Sequence, residues 1–224
     1  MANLSTSKAA MVVGIAFITS AIIVTIVDDF FLANFVVPGD TAALSIDIES
    51  NTKLFGFAVV GYLLVLALDS IIGIALYVVL KPYNKNLALL TATLRLLYSC
   101  ILVIGLFALV IHIVDAYGYA TIKLFGYIFF SFHIFVLGYS VFRSGYIPKI
   151  LGVLLIIASF TYVVFFIDLH LSEILEVVTM LTMAIAELSL SIWLMVKRNC
   201  LPFGAQKSII GKSEKYSNKP NEDG

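Results

Sequence analysis

Apolar positions fall in six long runs along this chain, at about residues 9–27, 54–80, 87–114, 122–142, 150–167 and 174–196, parted by short polar breaks. A hydrocarbon core of about 30 Å is crossed by about 20 residues of helix, so each run predicts a membrane span. Pro82 and Pro148 punctuate the turns after the second and fourth runs, where a helix ends or a new one starts. Ten-residue stretches of strict apolar–polar alternation do not recur, which argues against a β-barrel. The first run follows the lone basic residue Lys8 and outlasts the apolar segment of about 7–15 residues in a signal peptide. It is expected to be a retained span.

Composition agrees with the pattern. The chain is 61% hydrophobic and only 12% charged, with a mean hydropathy of +1.06. Soluble domains carry roughly 45–50% apolar and 25% charged residues. The expected fold is an all-α membrane protein, a bundle of six transmembrane helices. Residues 1–8 form a short amino-terminal segment, 9–198 the bundle, and 199–224 a polar tail too poor in apolar anchors to order itself. Cys100 and Cys200 fall far apart and are expected to be free thiols.

Charge orients the bundle. With the amino terminus inside, eleven of the fourteen basic residues fall on the cytoplasmic side; Lys53 and Lys123 fall outside, and Arg95 lies within a span. Basic residues set orientation in multi-span proteins, so both termini are expected in the cytoplasm of a multi-pass cell-membrane protein.

Inside the runs stand Asp69, Arg95, His133 and Glu187, one on each of four different spans. An ionisable group at the centre of a membrane helix costs roughly 2.5–3.5 kcal/mol even on the lenient insertion scale, so each needs a partner. Counted from the cytoplasmic end of its span, each lies roughly eight to eleven residues in, about 12–16 Å at 1.5 Å per residue. Groups at one depth on antiparallel helices can meet. Tyr98 and Ser99 share the face of Arg95, with Thr91 one turn before it, and Ser191 shares the face of Glu187. Ser159 and Tyr162 lie at a similar depth in the fifth run, and Gly73 leaves room beside Asp69. Asp69, Arg95, His133, Glu187, Tyr98, Ser99 and Ser191 are therefore the candidate binding or proton-handling residues. Two acids share one Arg, so one carboxylate lacks a full partner unless His133 supplies a proton or a positive charge.

Weaker patterns lie elsewhere. His112 with Asp115, and Asp168 with His170, could furnish imidazole and carboxylate ligands for zinc, but their spacing is loose. There is no phosphate-binding Gly-rich loop, no nucleophile elbow and no His-Glu-x-x-His helix. Ser131 sits two residues from His133 and so off its helix face, which removes a local Ser–His dyad. No catalytic residue, cofactor or nucleic-acid partner is expected, and the lipid bilayer is the expected surroundings.

The segment from His133 through Gly138 to Tyr139, then from Phe142 through Ser144-Gly145, Pro148-Lys149 and Gly152 to Leu154-Leu155, resembles a prokaryotic membrane family known as domain of unknown function 4386. That family's pattern joins an in-span His, a Ser-Gly-x-x-Pro turn and a Gly-x-Leu-Leu helix start. Asp69, Lys81-Pro82, Arg95, Tyr162, Glu187 and Trp193-Leu194 extend the similarity over about residues 9–198. The sequence departs at Lys149, where Arg is commoner, and at Arg198-Asn199, where Gly often follows the last basic residues. The resemblance implies a multi-span prokaryotic protein and brings no activity. Three expectations compete: a cluster that binds a small ligand or handles protons, a non-catalytic scaffold with structural ion pairs, and an intramembrane enzyme acting on lipid. A wet cavity at Glu187 would favour the first, and dry pairing of Arg95 with both acids the second.

Overall fold

The computed structural model describes residues 5–35, 52–114, 116–166 and 173–202, with side chains 28–35, 116–117, 165–166, 173–174 and 176 also outside the description. Among the described residues the chain is all-helical. Six helices follow in order: α1 Thr6–Phe35, α2 Thr52–Leu80, α3 Lys85–Val110, α4 Ala116–Ser144, α5 Lys149–Phe166 and α6 Glu173–Val196; a short 3-10 turn, Arg198–Cys200, follows α6. Each helix packs on its neighbours in sequence, and α6 closes back on α1, so the six form a ring. Five helices are long and apolar enough to cross a membrane. α5, at 18 residues, spans about 27 Å, just under the usual hydrocarbon thickness.

The turns explain the antiparallel order. Only residues 81–84 separate α2 from α3, and only 145–148 separate α4 from α5. Asn84 caps α3, its side-chain oxygen accepting from Asn86 N and Leu87 N at 3.0 and 3.1 Å. That satisfies two of the amide donors left open at a helix start. Gly145 has φ +76°, a left-handed conformation that side chains rarely adopt, and lets the α4–α5 turn close. Tyr146 Oη reaches back to donate to Val79 O at 2.9 Å, tying this turn to the end of α2. Burial, with Tyr83 alongside, pushes the Tyr146 hydroxyl up to about 12, so it stays a donor.

Helix ends differ from the sequence reading most in three places, the first being α1, which continues to Phe35, eight residues past the end of its apolar run at residue 27. The third run was expected to continue to residue 114, but α3 stops at Val110, and the chain turns at His112, whose φ is +58°. α4 begins at Ala116, six residues before its apolar run, so residues 116–121 are carried on helix at its margin.

Burial is inverted relative to a soluble protein. Large apolar side chains such as Phe57, Ile104, Phe132 and Ile150 are exposed outward, as a lipid-facing surface requires. The polar groups Thr91, Arg95, Ser99, His133, Ser140, Ser159, Glu187 and Ser191 are buried. The main apolar core surrounds them, built from residues such as Ile72, Leu76, Ile134, Leu155 and Leu194. A smaller core from Val27, Ala58, Tyr62, Leu106, Leu109 and Tyr119 lies toward the opposite end. The chain is thus a membrane-spanning helical bundle with charge at its centre. The polar tail beyond residue 202 lies outside the described residues.

Candidate functional site

Arg95 projects from the inward face of α3, the face that also buries Ala88, Thr91, Ala92, Ser99 and Leu102. This is the i, i+3, i+4 stripe that a helix buries in a bundle. Its guanidinium sits between two helices. On one side Nη2 donates to Asp69 Oδ1 on α2 at 2.6 Å, a buried charged contact. On the other, Nη1 lies 3.2 Å from His133 Nε2 on α4. A Cβ at Gly73 would stand 3.6 Å from the Arg95 Cβ, an ordinary van der Waals contact, so α2 and α3 pack side by side here without requiring glycine.

The hydrogen bonds fix the state of His133. Its Nδ1 is 2.8 Å from the Thr91 carbonyl oxygen, which can only accept, so the proton belongs on Nδ1. Nε2 is then left with a lone pair and accepts from Arg95 Nη1. A second proton on Nε2 would face a guanidinium. The expectation that His133 supplies a proton or a positive charge therefore does not fit: His133 is a neutral acceptor that orients Arg95. Phe130, one turn before His133, receives the Arg95 cation over its ring, 5.2 Å from the centroid.

Glu187 on α6 is treated differently. Among the described residues it makes no ion pair; its Oε1 accepts from Tyr162 Oη of α5 at 2.5 Å. Arg95 and Glu187 meet instead across a small cavity of about 10 Å³, whose wall also includes Phe17, Leu137, Leu155 and Ser191. That is the room of about one water molecule. Two of the three guanidinium nitrogens are engaged, and the third, Nε, is buried with no hydrogen-bond partner among the described residues.

The other sequence candidates fall out as follows. Ser191 is buried on the cavity wall. Ser99 Oγ donates to the Arg95 carbonyl one turn back, at 3.1 Å, a local bond that does not enter the site. Tyr98 packs its ring on Phe130, centroids 4.6 Å apart, and stacks on Tyr127 at 6.4 Å. Ser131 donates to Ser159 O at 2.8 Å, stitching α4 to α5. Among the described residues no cluster of His, Cys, Asp and Glu could hold a metal. His112 is exposed in the turn after α3, while Asp115, Asp168 and His170 lie outside the described residues. Cys100 and Cys200 are free and exposed.

Phe130, Tyr127 and the role of Tyr162 were missed from sequence. Residues 127, 130 and 133 run along one side of α4 at a spacing of three, and Tyr162 rests on Phe130 and Tyr127 at 4.9 and 6.0 Å. Following that spacing back from His133 would have found the α4 aromatics.

A model of the family described as "Domain of unknown function (DUF4386)" matches residues 12–121 and 108–197, effectively the whole bundle. An uncharacterised protein of Archaeoglobus fulgidus is 39% identical over 123 residues, covering 55% of this chain and 74% of its own length. No solved structure matches.

Proposed function

The chain belongs to the DUF4386 family, and from that premise we propose that it is a multi-pass membrane protein in which Glu187 takes up and releases a proton beside a fixed Asp69–Arg95–His133 frame. One observation carries the reading: Arg95 turns its two terminal nitrogens to Asp69 and His133, while the second acid, Glu187, accepts from a phenol in place of a direct ion pair. A carboxylate locked to Arg in a dry contact has its charge fixed. A carboxyl held by one phenol at a cavity wall can exist in either protonation state, because the donor serves the anion and the cavity admits a water to carry the proton. Such acids inside membrane bundles are typical of proton relays.

The size of the cavity supports a proton over a larger cargo. At about 10 Å³ it has room for a water or a proton carrier and none for an organic molecule in this arrangement. With both termini cytoplasmic, the orientation the basic residues favour, the cluster would lie in the cytoplasmic half of the membrane.

The scaffold reading rests on the Asp69–Arg95 contact, which is a sound structural ion pair. The two readings part in proteoliposomes carrying an internal pH indicator, with a potential imposed by a potassium gradient and ionophore. Proton-handling predicts acidification above that of protein-free vesicles, lost in Glu187→Gln and in Glu187→Leu. Wild-type flux equal to that of empty vesicles, or undiminished flux in both variants, would leave the scaffold ahead.

A further inference from the structure

The end of the bundle that carries the α2–α3 and α4–α5 turns is strongly basic. Lys81, Lys85, Arg143 and Lys149 are exposed there, and the start of α1 and the end of α6 add Lys8, Lys197 and Arg198. Among the described side chains no acid stands at this end: Asp69 and Glu187 lie at mid-span. The cations are therefore unneutralised within the described fold.

The two turns that carry four of them are tied together. Tyr146 Oη donates to Val79 O and lies near enough to Tyr83 to feel it, so the α4–α5 turn is drawn onto the α2–α3 turn. Lys81 Nζ rests over the Tyr77 ring and Lys149 Nζ over the Phe142 ring, each 5.7 Å from the centroid. These contacts hold two ammonium groups at the border of the apolar surface. Exposed Leu89 and Ile150 follow directly in α3 and α5, so the cations stand where hydrocarbon gives way to headgroups. A topological charge bias needs only the charges; it does not need the Tyr146 tie or the aromatic rests.

We propose that Lys81, Lys85, Arg143 and Lys149 form a binding site for the phosphate headgroup of an anionic phospholipid in the leaflet at this end. Ammonium and guanidinium groups supply donors and charge for the phosphate oxygens, while the flanking apolar faces of α3 and α5 take the acyl chains. Each cation close to an anionic surface contributes roughly fivefold in partitioning.

The test uses the full chain in mixed micelles, with native mass spectrometry counting retained phosphatidylglycerol against phosphatidylcholine. Wild type should keep phosphatidylglycerol preferentially. The variant Lys81→Gln/Lys85→Gln/Arg143→Gln/Lys149→Gln should lose at least about tenfold of that preference. Lys53→Gln/Lys123→Gln, at the opposite end, should keep it. If the fourfold variant does not elute as a folded species, the pairs Lys81→Gln/Lys85→Gln and Arg143→Gln/Lys149→Gln replace it. Tyr146→Phe, which leaves every charge in place, should weaken retention several-fold, because it releases the tie between the turns. Equal retention by the folded basic-end variants, an equal loss from the opposite-end variant, or no effect of Tyr146→Phe would each overturn the proposal. Displacement of the lipid by millimolar inorganic phosphate would assign a free-phosphate site and overturn the lipid assignment.

Discussion

Arg95 satisfies two neighbours on two other helices with a single planar group, and that geometry decides what its loss does. Arg95→Met strands Asp69 in an apolar core, and removing one member of a buried pair costs about 3–5 kcal/mol. Thermal unfolding in detergent should show a large drop. Asp69→Asn/Arg95→Met should recover part of it, because the stranded charge is gone. His133→Phe removes two hydrogen bonds and no charge, so a loss of about 1–3 kcal/mol is expected by the same measurement. Much of this was legible in the sequence, because residue number along antiparallel helices gives depth, and depth put Asp69, Arg95 and His133 at one level. Rotation about each helix axis was not legible. It decides that Arg95 takes Asp69 and not Glu187. The state of His133 was hidden for another reason: it depends on the Thr91 carbonyl, a backbone atom with no signature in residue type.

Between elements, two kinds of seam coexist in the ring. α4 and α5 meet almost backbone to backbone: a Cβ at Gly152 would come within 2.6 Å of Phe142 N and 2.7 Å of Gly138 O. Neither partner is a side chain that can swing away. Gly152→Leu should therefore prise the pair apart, costing at least about 1–3 kcal/mol as overpacking does, and should broaden the unfolding transition. Ser131→Ala, which deletes only the hydroxyl bond to Ser159 O, should cost about 0.6 kcal/mol, near the average for such bonds in membranes. The Tyr146 tie has a pH signature. Its folded-state proton is held until about pH 12, against 10.0 for an ordinary tyrosine. Between those values the unfolded chain binds fewer protons than the folded one, so stability falls as pH rises through that window. Wild type should lose its advantage over Tyr146→Phe on passing from neutral to strongly alkaline pH in denaturant titrations. The existence of the helices was legible from run length, and the α2–α3 and α4–α5 turns from Pro82 and Pro148. The end of α3 was not, since apolar residues continue past Val110 and only the backbone at His112 breaks the helix.

At the scale of the molecule, the ring of six helices gathers basic residues at one end and two acids at its centre, and these asymmetries carry the functional argument. Orientation is tested by impermeant thiol labelling in a Cys100→Ser/Cys200→Ser background: reagent added outside should reach Lys53→Cys and miss Lys85→Cys. The reverse pattern would invert the bundle. Composition and run spacing made the membrane class and the helix number legible, whereas the closing of α6 on α1 has no local signal. That closure sets Glu187 across a cavity from Arg95 and beside Tyr162, and so separates the acid paired with Arg95 from the one proposed to exchange a proton. The central claim is this separation, and infrared difference spectroscopy of the reconstituted protein reads it directly. On raising the pH, a protonated-carboxyl C=O band should vanish as a carboxylate band grows, the pair being absent in Glu187→Gln, shifted in Tyr162→Phe and retained in Asp69→Asn. A titrating band that survives Glu187→Gln and disappears in Asp69→Asn would contradict it.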